Sequence, residues 1–165
     1  MTVINTSPAI HLHFVLPGGL SSLPTLIGQV LVPSEVGQEL AAGENLDATW
    51  QEIQNLTGIV IRQIPTNIHP LLSAQIDMGE AAVIQTALDH GDAAVILDDL
   101  KARRIAKTLG LSVTGTLGVL VQAKQTGLLS SVSEAITRLE QRGMWISSSL
   151  AARAIQLAGE TSRQP

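Results

Sequence analysis

The residues best suited to chemistry in this chain are acids that follow a short apolar run. Asp98 and Asp99 come directly after Ala93–Leu97, a continuous apolar stretch preceded by a turn signal at His90–Asp92. Such a stretch is typical of a strand buried on both faces of a parallel sheet. Because open α/β sheets bind ligands beyond the carboxyl ends of their strands, the two carboxylates predict a functional site at that edge.

Further polar residues can reach the same edge of the sheet. Asn5 ends the first apolar strand, and Glu80 stands in the first turn of a helix that Asp77 begins. The first and fourth strands of a doubly wound sheet can be neighbours, which would bring Asn5 beside Asp98 and Asp99. Carboxylates gathered in one place repel one another unless protons or a cation intervene. Mg²⁺ or Mn²⁺, which prefer oxygen ligands, are the natural occupants of such a cluster.

Each of these signals also has an ordinary structural explanation. Asp77 and Glu80 have the spacing of a helix capping box. Asp99 favours a helix start and could pair with Arg103 one turn later. Glu39, taken alone, is a common type of exposed helix residue. Only their joint placement favours a metal site over local helix capping.

The elements that must position these residues alternate between strands and helices. Strands are predicted over 2–5, 30–32, 58–62, 93–97 and 112–113. Helices are predicted over 9–27 with a break at 17–19, and over 33–42, 77–88, 99–109, 115–126, 132–142 and 147–158, with no clear periodicity at 44–57 and a connection at 65–73. This order predicts a single α/β domain over residues 1–160, a three-layer α/β/α sandwich around a short parallel sheet with a helical C-terminal third. Residues 161–165 are predicted to form a frayed tail.

The composition excludes several kinds of protein. The 165 residues are 45% hydrophobic and 15% charged, which suits one folded domain, and without Cys there are no disulfides, thiolate zinc sites or cysteine nucleophiles. The net charge of −4 argues against nucleic-acid binding by the whole surface. The helix predicted over 99–109 has a basic side formed by Lys101, Arg103, Arg104 and Lys107. Such a side is explained equally well by contact with RNA and by ordinary exposure to solvent. No membrane span or signal peptide is recognisable, so we expect a cytoplasmic protein.

Two further features are weaker. Gly115-x-x-Gly118 at a helix start could cradle a phosphate, although close helix packing is the favoured explanation. Because the motif is neither a Walker loop nor a dinucleotide fingerprint, a nucleotide-binding metabolic enzyme is disfavoured. None of the four His has zinc spacing with a partner, and no role is assigned to them.

The ordered set of motifs resembles the PIN-like domains of the DUF3368 family. The motifs that carry this resemblance span nearly the whole chain: Asn5-Thr6-Ser7-Pro8, Pro33-x-x-Val36-x-x-Glu39-Leu40, Asp77-x-Gly79-Glu80-Ala81, Asp98-Asp99-x-x-x-Arg103, Gly115-Thr116-Leu117-Gly118 and Ala123-Lys124-x-x-Gly127-Leu128. The resemblance implies a relative of the VapC-type PIN nucleases, Mg²⁺- or Mn²⁺-dependent ribonucleases that commonly serve as toxins of toxin–antitoxin pairs. It thereby implies RNA as substrate and an antitoxin protein as partner. The C-terminal third is apolar, and PIN-like proteins often form homodimers. Together these points predict a homodimer with an interface of at least about 1,000 Å².

By position, the resemblance also implies a set of metal ligands. Glu39 and Glu80 match acidic residues of the PIN site, and either Asp98 or Asp99 matches the acid that follows the fourth strand. A cation held there would activate a water for attack on a phosphodiester and offset the charge on the departing oxygen. The cofactor implied is therefore Mg²⁺ or Mn²⁺.

The resemblance departs from the usual pattern at the end of the first strand. An ordinary PIN nuclease has Asp where this chain has Asn5, which keeps an oxygen acceptor but lacks the charge. Thr6 and Ser7 match the hydroxyl residues beside that acid and would orient a ligand or phosphate. A basic residue such as Arg103 or Lys101 would hold a neighbouring phosphate. Two functions stay open: a metal-dependent endoribonuclease, or a PIN-like module with a depleted acidic site that binds RNA or a partner protein without cleavage. Asn5 is the residue that divides them.

Overall fold

Five short strands form one parallel sheet at the centre of the computed structural model, which describes residues 1–43, 47–63, 66–91 and 93–161. The strands are β1 Thr2–Ile4, β2 Val30–Val32, β3 Ile59–Ile61, β4 Ala94–Ile96 and β5 Ser112–Thr114. Their order across the sheet is β3-β2-β1-β4-β5. Ile4 pairs with Ile96, so β1 and β4 are neighbours, as the sequence predicted. The direction in which strands are added reverses between them, which creates a switch point at that place.

Helices flank this sheet and make up the C-terminal third. Within the described residues they are α1 Thr6–Val15, α2 Leu23–Ile27, α3 Ser34–Ala42, α4 Asp47–Asn55, α5 Pro70–Ser73, α6 Met78–Asp89, α7 Leu100–Thr108, α8 Thr116–Gln125, α9 Val132–Gln141 and α10 Ser148–Leu157. A short 3₁₀ turn, Gly19–Ser22, precedes α2. No single described helix is long and apolar enough to cross a membrane; the pair Thr6–Val15 and Gly19–Ile27 passes on length and composition together but is bent by 96°. The predicted α/β fold is confirmed.

The core consists of aliphatic side chains from the sheet and from the helices packed on it. Val3, Val30 and Val95 are fully buried in β1, β2 and β4. Helix α6 packs against β1, β4 and α3, and eight of its twelve residues are buried, including its three Ala. The tight packing of this helix fixes the position of its first turn at the carboxyl edge of the sheet.

The structure corrects two details of the sequence-based assignment. The segment 44–57 contains α4, which buries Ile53 and Thr49 where we expected no periodic element. The helix predicted over 99–109 ends at Thr108 in the structure, and Leu109 follows it as the C-cap and is 45% exposed. Several predicted features lie outside the described residues: positions 44–46 of the polar segment, Pro65, Asp92 of the turn signal, and residues 162–165 of the tail.

Candidate active site

Asn5 belongs to the candidate site because it directly follows β1, the strand beside the switch point. Its backbone N–H donates to the Ile96 carbonyl of β4 at 3.2 Å. Although Asn5 is the N-cap of α1, its side chain makes no capping hydrogen bond. The residue is 8% exposed, and its Oδ1 atom is buried without a partner among the described residues. Since leaving such a group unsatisfied costs about 1–3 kcal/mol, this oxygen is well suited to accept a bound cation or donor.

Glu39 reaches the site from α3. The Thr6 hydroxyl donates to its Oε2 atom, which fixes the carboxylate beside the first turn of α1. On its other side the carboxylate lies over Gly79, in the first turn of α6. A Cβ atom at position 79 would be 2.5 Å from Oε1 and 2.8 Å from Oε2. The lack of a side chain at Gly79 therefore allows acids from α3 and α6 to approach each other.

Glu80 is a buried acid, 8% exposed, in the first turn of α6. Its backbone N–H donates to Asp77 Oδ1 at 2.8 Å, so Asp77 caps the helix as predicted. The reciprocal bond of a full capping box, from the Asp77 N–H to the Glu80 carboxylate, does not occur among the hydrogen bonds of the described residues. Burial, followed by the negative charges of Asp77, Asp99 and Glu39, raises the pKa of Glu80 from 4.5 to about 7.

Asp98 is held by protein donors on both of its oxygens. Oδ1 accepts from the Thr116 N–H at 2.8 Å, and Oδ2 accepts from the Thr116 hydroxyl at 2.6 Å. His11 Nδ1 lies 3.4 Å from Oδ2. Burial would raise the pKa of Asp98, but the hydrogen bonds from His11 and Thr116 outweigh it and hold that pKa below its usual range. Asp98 therefore fastens α1 and α8 to the end of β4.

Asp99, the next residue, begins α7. Its Oδ1 atom accepts from the backbone N–H groups of Lys101 and Ala102, both at 2.8 Å. Its Oδ2 atom makes no hydrogen bond among the described residues, and its charge is one of those that raise the pKa of Glu80. Of the two adjacent acids, Asp99 is thus the one that acts on the acidic cluster.

Two basic residues near the start of α7 donate hydrogen bonds to backbone carbonyls. Arg103 donates from Nη1 to the Leu97 carbonyl at 2.6 Å. The predicted pairing of Arg103 with Asp99 is wrong for the described residues, because the guanidinium turns back to the end of β4 instead. Lys101 Nζ donates to the Gln75 carbonyl before α6. These two cations tie α7 to neighbouring segments.

The glycine motif before α8 allows close packing, which was the favoured explanation. A Cβ atom on Gly115 would be 2.5 Å from Arg103 Nη1 and 2.8 Å from Asp98 Oδ1. The helix start that could have cradled a phosphate already receives the Asp98 carboxylate at the Thr116 N–H. Gly118 faces the Thr114 side chain of β5 in the same way.

His11 is a residue of this site that the sequence did not reveal. It contacts an acid 87 positions away, and nothing in its local spacing indicates that partner. Ser7, by contrast, is exposed in the first turn of α1 and makes no hydrogen bond among the described residues. The sheet edge therefore carries free hydroxyl and carboxylate groups as well as groups held by the fold.

The donor atoms at this edge suit a hard divalent cation in their chemistry. Among the described residues, no group of three or more Asp, Glu or His side chains is spaced to hold a metal ion. Mg²⁺, however, is usually bound by one or two carboxylates, waters and substrate phosphates. The unpartnered amide oxygen of Asn5, with the carboxylates of Glu80 and Asp99, fits this sparse type of site.

Comparison with known protein families gives a match over nearly the whole chain. Residues 1–160 match the family model DUF3368, which is described as a PIN domain. The matched region includes every strand and every site residue described above. No curated protein matches the chain.

Proposed function

Because the chain belongs to the DUF3368 family of PIN domains, a fold that generally serves nucleases, we propose that it is a metal-dependent endoribonuclease. The observation that carries this proposal is the buried carboxylate of Glu80. Its pKa is about 7 in the company of Asp77, Asp99 and Glu39. A structural acid is normally paired with Arg or Lys, whereas Glu80 forms no salt bridge among the described residues. Acids collected in this way favour a divalent cation.

The candidate metal ligands are Asn5, through its amide oxygen, and the carboxylates of Glu39, Glu80 and Asp99. Because no three described acids are spaced to share one cation, at most two of these carboxylates would bind it directly. A bound Mg²⁺ or Mn²⁺ supplies an activated water and stabilises charge on phosphodiester oxygens. Asp98, which the resemblance offered as an alternative ligand, instead positions the helices around the site. Thr6 acts on the orientation of Glu39, because its hydroxyl holds one oxygen of that carboxylate.

Two further residues would act on the RNA backbone. Ser7 presents an exposed hydroxyl in the first turn of α1, close in sequence to Asn5. Arg103 donates one of its five N–H groups to Leu97, which leaves other donors of a fixed guanidinium for a phosphate. Such contacts would position the strand without reading its sequence.

A cleavage assay on single-stranded RNA with Mn²⁺ tests the proposal. We expect wild type to cleave, Glu80→Gln to be inactive, and Glu140→Gln to behave as wild type, since Glu140 is an exposed acid on α9. Cleavage that survives Glu80→Gln would refute the assignment of the acidic cluster. Both variants should be checked for folding by thermal melting before they are compared.

The second candidate is a PIN module that binds RNA or a partner protein without cleavage. The observation in its favour is Asn5, which supplies a neutral oxygen in a cluster where no three described acids are spaced for a metal. Wild type that binds single-stranded RNA, but shows neither cleavage nor stabilisation by Mn²⁺, would place this function first.

Family membership also supports a proposal for the biological setting: a cytoplasmic homodimer that acts as the toxin of a toxin–antitoxin pair. Induced expression in a bacterial host should then arrest growth, and Glu80→Gln should relieve the arrest. Light scattering at micromolar concentration should give the mass of a dimer. Unimpaired growth, or a monomer, would count against the corresponding part of this proposal.

A further inference from the structure

A cleft of about 750 Å³ opens beside the acidic site. Asp98 and Asp99 form part of its wall, at the end of β4 and the start of α7. Residues 144–147, which lie between α9 and α10, also line it, together with Ser149 and Leu150 from the start of α10. The cleft is therefore continuous with the edge of the sheet at which the acids gather.

Trp145 is the most unusual residue of this cleft. It is 86% exposed, although the chain contains only two Trp and a single Phe. Its neighbours hold it in place, because Ile146 is buried in the core and Met144 is half-buried against it. The backbone at position 145 is thus held by its neighbours, and the exposed indole lines the cleft.

Two arginines line the same cleft. Arg103 lies on α7, and Arg153 lies on α10, where it is exposed and forms no salt bridge among the described residues. An aromatic face next to guanidinium groups is the combination that binds single-stranded nucleic acid, since bases stack on the ring and phosphates meet the charge. An apolar peptide would bury Trp145 equally well but would leave the charge of Arg153 without a partner.

We propose that this cleft binds a nucleotide of single-stranded RNA adjacent to the scissile phosphate, with its base stacked on Trp145 and its phosphate held by Arg153. The choice of RNA as occupant rests on the proposed ribonuclease function. The cleft adds what the acidic cluster lacks, a surface that engages a base. Because stacking is tolerant of base identity, this contact orients the strand and contributes affinity more than sequence specificity.

The test is a binding titration of the full chain with a single-stranded oligothymidylate of about eight nucleotides, a length within the usual site size. A chelator is present throughout, so neither metal nor cleavage contributes. Trp145→Ala should weaken binding about tenfold, and Trp145→Phe should retain most of the affinity. Leu157→Ala, which removes an exposed apolar side chain of α10 outside the cleft, should change nothing. An abasic oligonucleotide should bind wild type and Trp145→Ala equally.

Arg153 is tested by the salt dependence of the same titration. Arg153→Gln should weaken binding and reduce the slope of log affinity against log salt by about one unit, as expected for the loss of one phosphate contact. Arg138→Gln makes the same charge change at an exposed position of α9, outside the cleft, and should leave the slope unaltered.

Three results would overturn the proposal. The first is unchanged oligonucleotide affinity in Trp145→Ala. The second is an equal effect of Trp145→Ala on the abasic strand. The third is a dimer that dissociates in Trp145→Ala while oligonucleotide binding is unaffected, which would make a second copy the occupant. The outcome for cleavage is separate: if Trp145→Ala loses binding and wild type does not cut RNA with Mn²⁺, the cleft assignment stands and the ribonuclease assignment falls.

Discussion

The carboxylate of Glu39 lies directly over the backbone of Gly79. This contact brings α3 against the first turn of α6. A Cβ at position 79 would lie 2.5 Å from Glu39 Oε1, closer than real Cβ atoms approach. The atom in the way is the end of a flexible side chain, so Glu39 can move aside without disturbing the backbone. Glycine at this position thus serves the placement of the acid more than the path of the chain.

Gly79→Ala should consequently separate stability from metal binding. Alanine in a helix is about 1 kcal/mol more favourable than glycine, so the melting temperature should be equal or higher. Stabilisation by Mn²⁺ and RNA cleavage should both fall, because Glu39 is displaced. The control is Glu39→Gln: if Gly79→Ala acts through Glu39, adding it to Glu39→Gln should cause no further loss. Additive losses in the double variant would contradict this explanation.

Glu80 should make the stability of the metal-free protein depend on pH. Its pKa is raised from 4.5 to about 7 by burial and by neighbouring acids, so the folded state favours the protonated form. The contribution of Glu80 to the free energy of unfolding should therefore be fully present below about pH 4.5, fall as the pH rises to about 7, and be absent above it. The full effect is at most about 3 kcal/mol. Urea unfolding in a chelator measures it.

Glu80→Gln should remove this slope and raise stability at pH 8 in the absence of metal. Glu140→Gln, at an exposed position of α9, is the matched control and should keep the slope of wild type. An unaltered slope in Glu80→Gln would show that another group titrates in this range.

Asn5→Asp should convert a neutral ligand into a charged one. Without metal, the added charge should lower stability and raise the pKa of Glu80 further. With Mn²⁺, the stabilisation should exceed that of wild type, because the cation binds the folded state more tightly. Thermal melts with and without Mn²⁺ measure both effects, and cleavage should be no slower than in wild type. Asn67→Asp adds the same charge at an exposed loop position and should leave the response to Mn²⁺ unchanged. Equal responses in the two variants would exclude Asn5 from the metal site.

The adjacent acids Asp98 and Asp99 should differ in what they lose on conversion to Asn. Both carboxylate oxygens of Asp98 accept hydrogen bonds from Thr116. Asp98→Asn replaces one of these oxygens with an amide nitrogen that cannot accept, which should lower the free energy of unfolding by about 1–3 kcal/mol. Asp99→Asn should keep stability nearly constant, because Asn caps helices as well as Asp does, yet it should reduce stabilisation by Mn²⁺. The reverse pattern in thermal melts would exchange the two roles.

The fold could be predicted from the sequence because its strands are continuous apolar runs between turn signals. Val30–Val32 and Ala93–Leu97 show no polar interruption, and this is the pattern of strands covered on both sides. Helix α4 escaped prediction because it buries only a few side chains among polar ones. Trp50 of that helix packs against Gly37 of α3, a contact that is visible only in three dimensions.

The site was harder to predict than the fold. The sequence did not show which of the adjacent acids Asp98 and Asp99 would belong to the acidic cluster. Their carboxylates take different partners because the chain turns from β4 into α7 at this point. The partners that hold Asp98, His11 and Thr116, come from helices far apart in the sequence. The capping role of Asp77 was predictable, since it depends on residues within one helical turn.

The pairing of β1 with β4 has a consequence for how the protein is made. Among the paired strands, these two are the farthest apart in the sequence, since Ile4 meets Ile96. During synthesis Asn5 and Glu39 leave the ribosome well before Asp99, and the two halves of the acidic cluster meet only after β4 docks. Closing so long a loop is slower than forming the local β2–β3 pair. The acidic cluster therefore depends on the strand pairing that we expect to form most slowly.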